Sequence, residues 1–244
     1  MLIVAAVRSL ITYVVIGVYT ILLGPLLLLW TVASGRPLAL YRAGEYGARL
    51  GLFLSGIRMR VVHAEHIQRS RAAVYAVNHA SNIEPPVIFT VLAVLFPRLR
   101  ILYKAELRKL PILVRAFDAA GFIPLERGNR DQSLPAIERA ADALRDGNSF
   151  LIFPEGTRSR TGELLPFKKG GFIMAIKAQA PVVPVAVHGA RAAMRKGSPI
   201  IYPVRVTVAF GRPIETTGLT LDDRDVLVTQ ARDAVAALLE EGSR

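Results

Sequence analysis

Residues 9–35 are 27 successive positions without a charged side chain. As a helix, this run would extend about 40 Å at about 1.5 Å per residue, beyond a hydrocarbon core of about 30 Å. Gly24 and Pro25 fall near its middle, where proline removes a backbone donor, so the run reads equally as one spanning helix or as two shorter helices dipping into one leaflet. From 36 to 60 the pattern changes: apolar residues alternate with Arg36, Arg42, Arg49, Arg58 and Arg60 against the single acid Glu45, the signature of an interfacial amphipathic segment. Past residue 56, β-rich runs at 57–63, 72–77, 101–103, 149–153, 181–187 and 204–210 alternate with helical periodicity at 83–96, 106–119, 131–146, 170–179 and 222–240. This alternation predicts an α/β domain with a mixed, largely buried sheet flanked by helices, preceded by N-terminal membrane-embedded helices. The chain therefore divides into an anchor and amphipathic segment, 1–56, and an α/β domain, 57–244.

Composition sharpens this picture. The chain is 52% hydrophobic with a net charge of +12, but Arg8 is the one charged side chain in 1–35. The remainder carries 30 Lys and Arg against 19 Asp and Glu, a net of +11. Five cations after the apolar run and one before it predict an inner-membrane protein with its body on the cytoplasmic face. A cleaved signal peptide ending at Val32-Ala33-Ser34 is disfavoured, because the run is longer than a signal core and the first seven residues lack a basic cluster. The basic body suits an anionic membrane surface or a phosphorylated substrate. Nucleic acid is disfavoured, since the cations are dispersed and no binding motif is present. With no cysteine, disulfides, thiolate nucleophiles and cysteine-held metals are excluded.

Function in such a fold belongs where polar residues interrupt strand ends. Two loops qualify, 78–86 after the strand at 72–77 and 153–160 after the strand at 149–153. In the first, His79 and Glu84 lie five residues apart, and a turn opening a helix would let them converge. A carboxylate on one imidazole nitrogen fixes the tautomer and leaves the other as a base, although the same spacing also suits a histidine capping a turn. The second loop offers backbone donors near Gly156, the Thr157 hydroxyl and the Arg158 guanidinium, groups that bind phosphate or polyol. No Gly-x-Ser-x-Gly elbow appears, so no acyl-enzyme nucleophile stands out.

Asn78-His79 with Glu84, then 121–128 (Gly-Phe-Ile-Pro-Leu-Glu-Arg-Gly), then 153–159 (Phe-Pro-Glu-Gly-Thr-Arg-Ser) and 183–186 (Val-Pro-Val-Ala) resemble the four ordered blocks of the glycerolipid acyltransferases, and most of all the bacterial 1-acyl-glycerol-3-phosphate acyltransferases. The resemblance covers about residues 57–215, and the apolar N-terminus is similar to members whose paired helices dock on a membrane. It implies acyl transfer from a thioester, acyl carrier protein or coenzyme A, to the free hydroxyl of a lysophospholipid. The acceptor implied first is 1-acyl-sn-glycerol 3-phosphate, giving phosphatidic acid, with no cofactor and no metal. By the same resemblance His79 is the general base and Glu84 orients it. Arg127 and Arg158 hold the acceptor phosphate, Glu155 and Gly156 form an acceptor-binding pair beside Thr157, Pro184 shapes the pocket, and Lys104 adds a cation. The family usually has aspartate where this chain has Glu84. The extra methylene displaces the carboxylate by about 1.5 Å, which leaves room for another acceptor such as a lyso-ornithine or glycolipid, or for a non-catalytic membrane or polyanion-binding module.

Other polar residues read as structural. His63 and His66 sit in a polar stretch rather than a ligand set, and His188 ends a strand. The cations from Arg98 to Arg115 fit a solvated face or a docking surface, and Lys168-Lys169 fits a turn or a contact for an acidic carrier protein.

Overall fold

The computed structural model describes residues 2–109, 111–126 and 130–242. Two N-terminal helices, α1 (Leu2–Ser34) and α2 (Leu38–Ser55), form an antiparallel hairpin. α1 runs unbroken through Pro25, so the Gly24-Pro25 pair does not divide it. Proline removes one donor, and an otherwise apolar helix tolerates that loss. α1 is long and apolar enough to cross a membrane by length and composition, and most of its large side chains are exposed. Its other face is tied to the rest of the chain. The Arg8 Nε donates to the Leu54 carbonyl at 3.0 Å, the Ile201 amide donates to the Ser9 hydroxyl at 2.8 Å, and the Tyr13 hydroxyl donates to the Pro199 carbonyl at 2.6 Å. α2 closes against α1 through Gly47, where an added Cβ would come within 2.9 Å of the Tyr19 ring.

The body is a seven-stranded sheet made of β1 (Arg58–Val62), β2 (Val74–Val77), β3 (Leu99–Lys104), β4 (Ile123–Leu125), β5 (Ser149–Ile152), β6 (Val182–His188) and β7 (Arg205–Phe210). Their order is β1-β7-β6-β2-β5-β3-β4, and every pairing is parallel except β6 with β7. β2 and β5 are buried at every position because both faces are covered, as parallel sheets require. One face packs on α2, α3 (Glu84–Val91) and α7 (Ala190–Ala193). The other packs on α5 (Arg130–Arg145), α6 (Gly170–Ala178) and α8 (Arg224–Gly242). α4 (Pro111–Ala119) leans toward α1.

The expected α/β sheet is present, with differences of extent. β4 and α7 are not among the expected elements. The helix expected at 83–96 ends at Val91 and continues as a 3-10 turn over Leu92–Leu95. The helix expected at 106–119 is a 3-10 turn, Ala105–Lys109, followed by α4. At the C-terminus, a Thr220 capping box with Asp223 starts a 3-10 turn before α8 begins.

α2 is part of the folded body as well as partner to α1. Tyr41 is buried, its hydroxyl placed between the carbonyl oxygens of Leu99 and Ala120 with one proton to share, and it accepts from Arg100 Nη1 at 3.0 Å. Arg100, one of the cations expected on a solvated or docking face, instead spends its guanidinium on Tyr41 and on the Pro97 and Ala120 carbonyls.

Candidate active site

Five strands, β2 to β6, point the same way, so the loops after β2 and β5 emerge side by side at one edge of the sheet. Sheet neighbours lie about 4.8 Å apart, which is why residues 76 positions apart in sequence can meet there. The β2 loop is anchored first. The Asn78 side chain accepts from the Val187 amide at 2.7 Å and donates to the Val187 carbonyl at 3.2 Å, spanning to β6. The β5 loop then holds the backbone of His79 from both sides: the His79 amide donates to Glu155 Oε1 at 2.5 Å, and the Ser159 amide donates to the His79 carbonyl at 2.8 Å.

The His79 side chain faces Glu84. Nδ1 lies 2.7 Å from Glu84 Oε2, and both Glu84 oxygens accept from the Ala80 amide at 2.9 Å. Glu84 opens α3, followed by Pro85 and Pro86 at positions where no intrahelical donor is needed. Its carboxyl is completely buried while the imidazole retains 17% exposure. Burial pushes the Glu84 carboxyl above its ordinary range, opposed by the hydrogen bond and charge of His79 and by the Ala80 and Ser81 amides. With Glu84 in the ionised form that the His79, Ala80 and Ser81 contacts favour, the carboxylate only accepts, so Nδ1 carries the proton and the lone pair is on Nε2. Among the described residues Nε2 has no hydrogen-bond partner, and the ring lies 4.3 Å from that of Phe153 at 30°. The arrangement can take a proton from a hydroxyl presented to Nε2.

The residues expected on the acceptor side are distributed unevenly. Glu155 is buried, and its second oxygen accepts from the Leu165 amide at 3.0 Å, so both oxygens are engaged by backbone. Burial raises its carboxyl too, against the His79 and Leu165 amides that favour the charge. Gly156 adopts φ +69°, a region L side chains avoid, with the Lys168 side chain lying across it. Thr157 is exposed, and Arg158 is half-buried with no carboxylate partner among the described residues. Lys196 Nζ donates to the Arg158 carbonyl at 2.9 Å and lies 3.4 Å from the Thr157 hydroxyl.

Lys104 ends β3 on the same edge of the sheet, exposed and paired with Glu106 at 2.8 Å. Pro184 lies within β6, beside Ala76 of β2. Arg127 lies outside the described residues. The other histidines are engaged elsewhere: His66 Nδ1 bonds the Phe210 carbonyl at 2.8 Å, His63 pairs with Glu65 at 3.4 Å, and His188 packs against Gly242. Sequence reasoning missed Phe153 against the imidazole, Ser159 on the His79 carbonyl and Lys196 behind the loop. Phe153 and Ser159 stand inside a quoted block, whereas nothing around Lys196 marks it.

The family described as Acyltransferase matches residues 58–188, a span that contains both loops. A 1-acyl-sn-glycerol-3-phosphate acyltransferase of Limnanthes douglasii is 33% identical over 225 residues, 92% of this chain and 76% of that protein. The mouse 1-acyl-sn-glycerol-3-phosphate acyltransferase alpha is 29% identical over 191 residues, 78% of this chain and 66% of its own. In fold, the chain is similar to the crystal structure of the 1-acyl-sn-glycerophosphate (LPA) acyltransferase PlsC from Thermotoga maritima, with a TM-score of 0.81 and 24% identity, covering 98% of this chain and 97% of that one.

Proposed function

This chain belongs to the acyltransferase family, and we propose that it transfers an acyl group from a thioester, carried by acyl carrier protein or coenzyme A, to the free hydroxyl of 1-acyl-sn-glycerol 3-phosphate, giving phosphatidic acid. The observation that carries this reading is the 2.7 Å contact between His79 Nδ1 and the buried Glu84, which leaves Nε2 as the free base. Nε2 takes the hydroxyl proton as the acceptor oxygen attacks the thioester carbonyl carbon. The tetrahedral intermediate then collapses, the carbon–sulfur bond breaks, and the departing thiolate recovers the proton from the imidazolium. Acceptor oxygen attacks directly, without an acyl-enzyme, in keeping with a chain that has no cysteine.

Arg158, a cation without an internal carboxylate partner among the described residues, receives the acceptor phosphate together with Arg127, and Gly156 and Thr157 line the approach. Glu155 belongs to this loop by tying it to the His79 amide, and Lys104, at the same edge of the sheet, is a further cation once the phosphate displaces Glu106 from it. α1 is bonded to the rest of the chain through Arg8, Ser9 and Tyr13 and its exposed apolar face enters one leaflet, while the excess of cations after the apolar run supports a body on the cytoplasmic side of the inner membrane.

The test is thioester release by purified protein against a panel of lysolipid acceptors with and without a phosphate. Turnover is expected with 1-acyl-sn-glycerol 3-phosphate, and His79→Ala is expected to remove about 10²–10⁴-fold of it. Undiminished turnover in that variant overturns the base assignment. Equal use of neutral acceptors overturns the phosphate assignment.

A further inference from the structure

On the side of the sheet's β1 edge, away from His79, a cleft of about 400 Å³ opens between α2, β1 and the far end of α3. Its rim carries Arg42, Arg49 and Arg69, and its floor includes Met59, Val61 and Val94. The only carboxylate lining it is Glu45, whose side chain is 8% exposed and accepts from Arg42 Nη1 at 2.8 Å and Arg49 Nε at 2.9 Å. Spacings of three and four residues put all three on one face of the helix. Each guanidinium gives Glu45 one of its nitrogens and keeps the rest, and both side chains remain about half exposed. Burial works to raise Glu45, but the hydrogen bonds and charges of Arg42 and Arg49 outweigh it and hold the carboxyl below its ordinary range. The carboxylate thus stays charged and fixes both forks. Arg69 has no ion pair among the described residues, and its backbone is held by Arg98, which donates to the Arg69 carbonyl at 2.8 Å. Three cations against one carboxylate leave the rim positive.

The outer surface around this cleft has the pattern of a membrane interface. Arg42, Tyr46, Arg49 and Phe53, spaced by four, three and four residues, form a single outward stripe of α2, with Tyr46 63% and Phe53 75% exposed. Alternating cations and aromatics on one helical stripe suit the headgroup layer. Val61 and Val94, in the floor, are also large exposed apolar residues. A free phosphate would use the cations and leave that floor wet, while a phospholipid uses both.

We propose that this cleft binds one anionic phospholipid of the bilayer, its headgroup phosphate held by Arg42, Arg49 and Arg69 and part of an acyl chain laid over the Met59, Val61 and Val94 floor. The lining of the cleft shares no residue with the His79 and Gly156 loops. Thr90 and Val91, its α3 residues, lie six and seven positions beyond Glu84, about 9 Å or more at 1.5 Å per residue.

The experiment measures thermal unfolding of the full chain in neutral detergent with added dioctanoyl-phosphatidylglycerol, dioctanoyl-phosphatidylcholine or inorganic phosphate. Phosphatidylglycerol is expected to raise the midpoint saturably, and the other two are not. Arg69→Gln, an exposed residue outside every helix, is expected to weaken the apparent affinity by about tenfold, and Val94→Trp, which fills the floor and keeps every charge, is expected to remove the response. An equal response to inorganic phosphate overturns the proposal, as does a response unchanged in both variants. A response lost in Arg158→Gln instead would place the lipid at the acceptor site. A response to acyl carrier protein that Arg69→Gln abolishes, with none to lipid, would assign the arginines to a protein partner. Either result also overturns it.

Discussion

Glu84→Asp tests the orienting carboxylate with the smallest available change. Glu84 Oε2 is 2.7 Å from His79 Nδ1, and removing one methylene draws the carboxyl back by about 1.5 Å. α3 cannot slide to compensate, because Val87 and Ile88 are fully buried in the core and Pro85 and Pro86 fix φ in its first turn. The contact therefore opens to about 4 Å, beyond hydrogen-bond reach. A hydrogen bond to a charged group is worth about 1.5–3 kcal/mol. Lost in full from the transition state, it corresponds to a rate decrease of roughly tenfold to 150-fold. In a thioester-release assay with 1-acyl-sn-glycerol 3-phosphate, kcat is expected to fall within that range while KM for the acceptor is little changed. The unfolding midpoint should drop by a few degrees, since the void left by a buried methylene costs about 1 kcal/mol. Turnover by Glu84→Asp at or above that of the parent would refute the reasoning, showing either that the loop adapts or that Glu84 does not orient the base.

Two further outcomes follow from the same loops. Gly156→Ala places a side chain at φ +69°, at a cost of about 1–2 kcal/mol, and brings its Cβ to 2.9 Å from Lys168 Cε; KM for the acceptor should rise, with partial recovery when Lys168→Ala removes the collision, and unaltered KM would show that this turn does not shape the acceptor site. Because burial raises the Glu84 carboxyl, its contribution to stability is full below its ordinary range and is lost as pH climbs through the raised value. Glu84→Gln should therefore gain on the parent in unfolding midpoint as pH rises out of the ordinary carboxylate range, and a gap moving the other way would show that the His79, Ala80 and Ser81 contacts outweigh burial.

The sequence was most legible where burial is uniform. β2, β5 from Phe150 and β6 up to Val187 are apolar runs because helices cover both faces, and the ends of β2 and β5 place the His79 and Gly156 loops. β4 escaped because it has three residues, one of them Pro124, too few to show a period. The His79 and Glu84 pair could be expected from spacing, since both lie in one turn. The backbone bonds from Glu155 and Ser159 to His79 could not, because they depend on β2 and β5 being neighbours, a property of strand order. Nor could Arg100, whose charge reads as surface but whose guanidinium is committed to Tyr41 and two carbonyls.

Tyr41 carries a consequence for inheritance and engineering. A helix whose hydroxyl serves two carbonyls of the catalytic body, and whose Leu52 shares a core with its strands, is not an exchangeable address label. Grafting residues 58–242 onto another protein's anchor would leave the Leu99 and Ala120 carbonyls without that donor and expose apolar surface at the sheet. The unit that can be moved between membranes, by evolution or by design, is the whole chain from α1 onward.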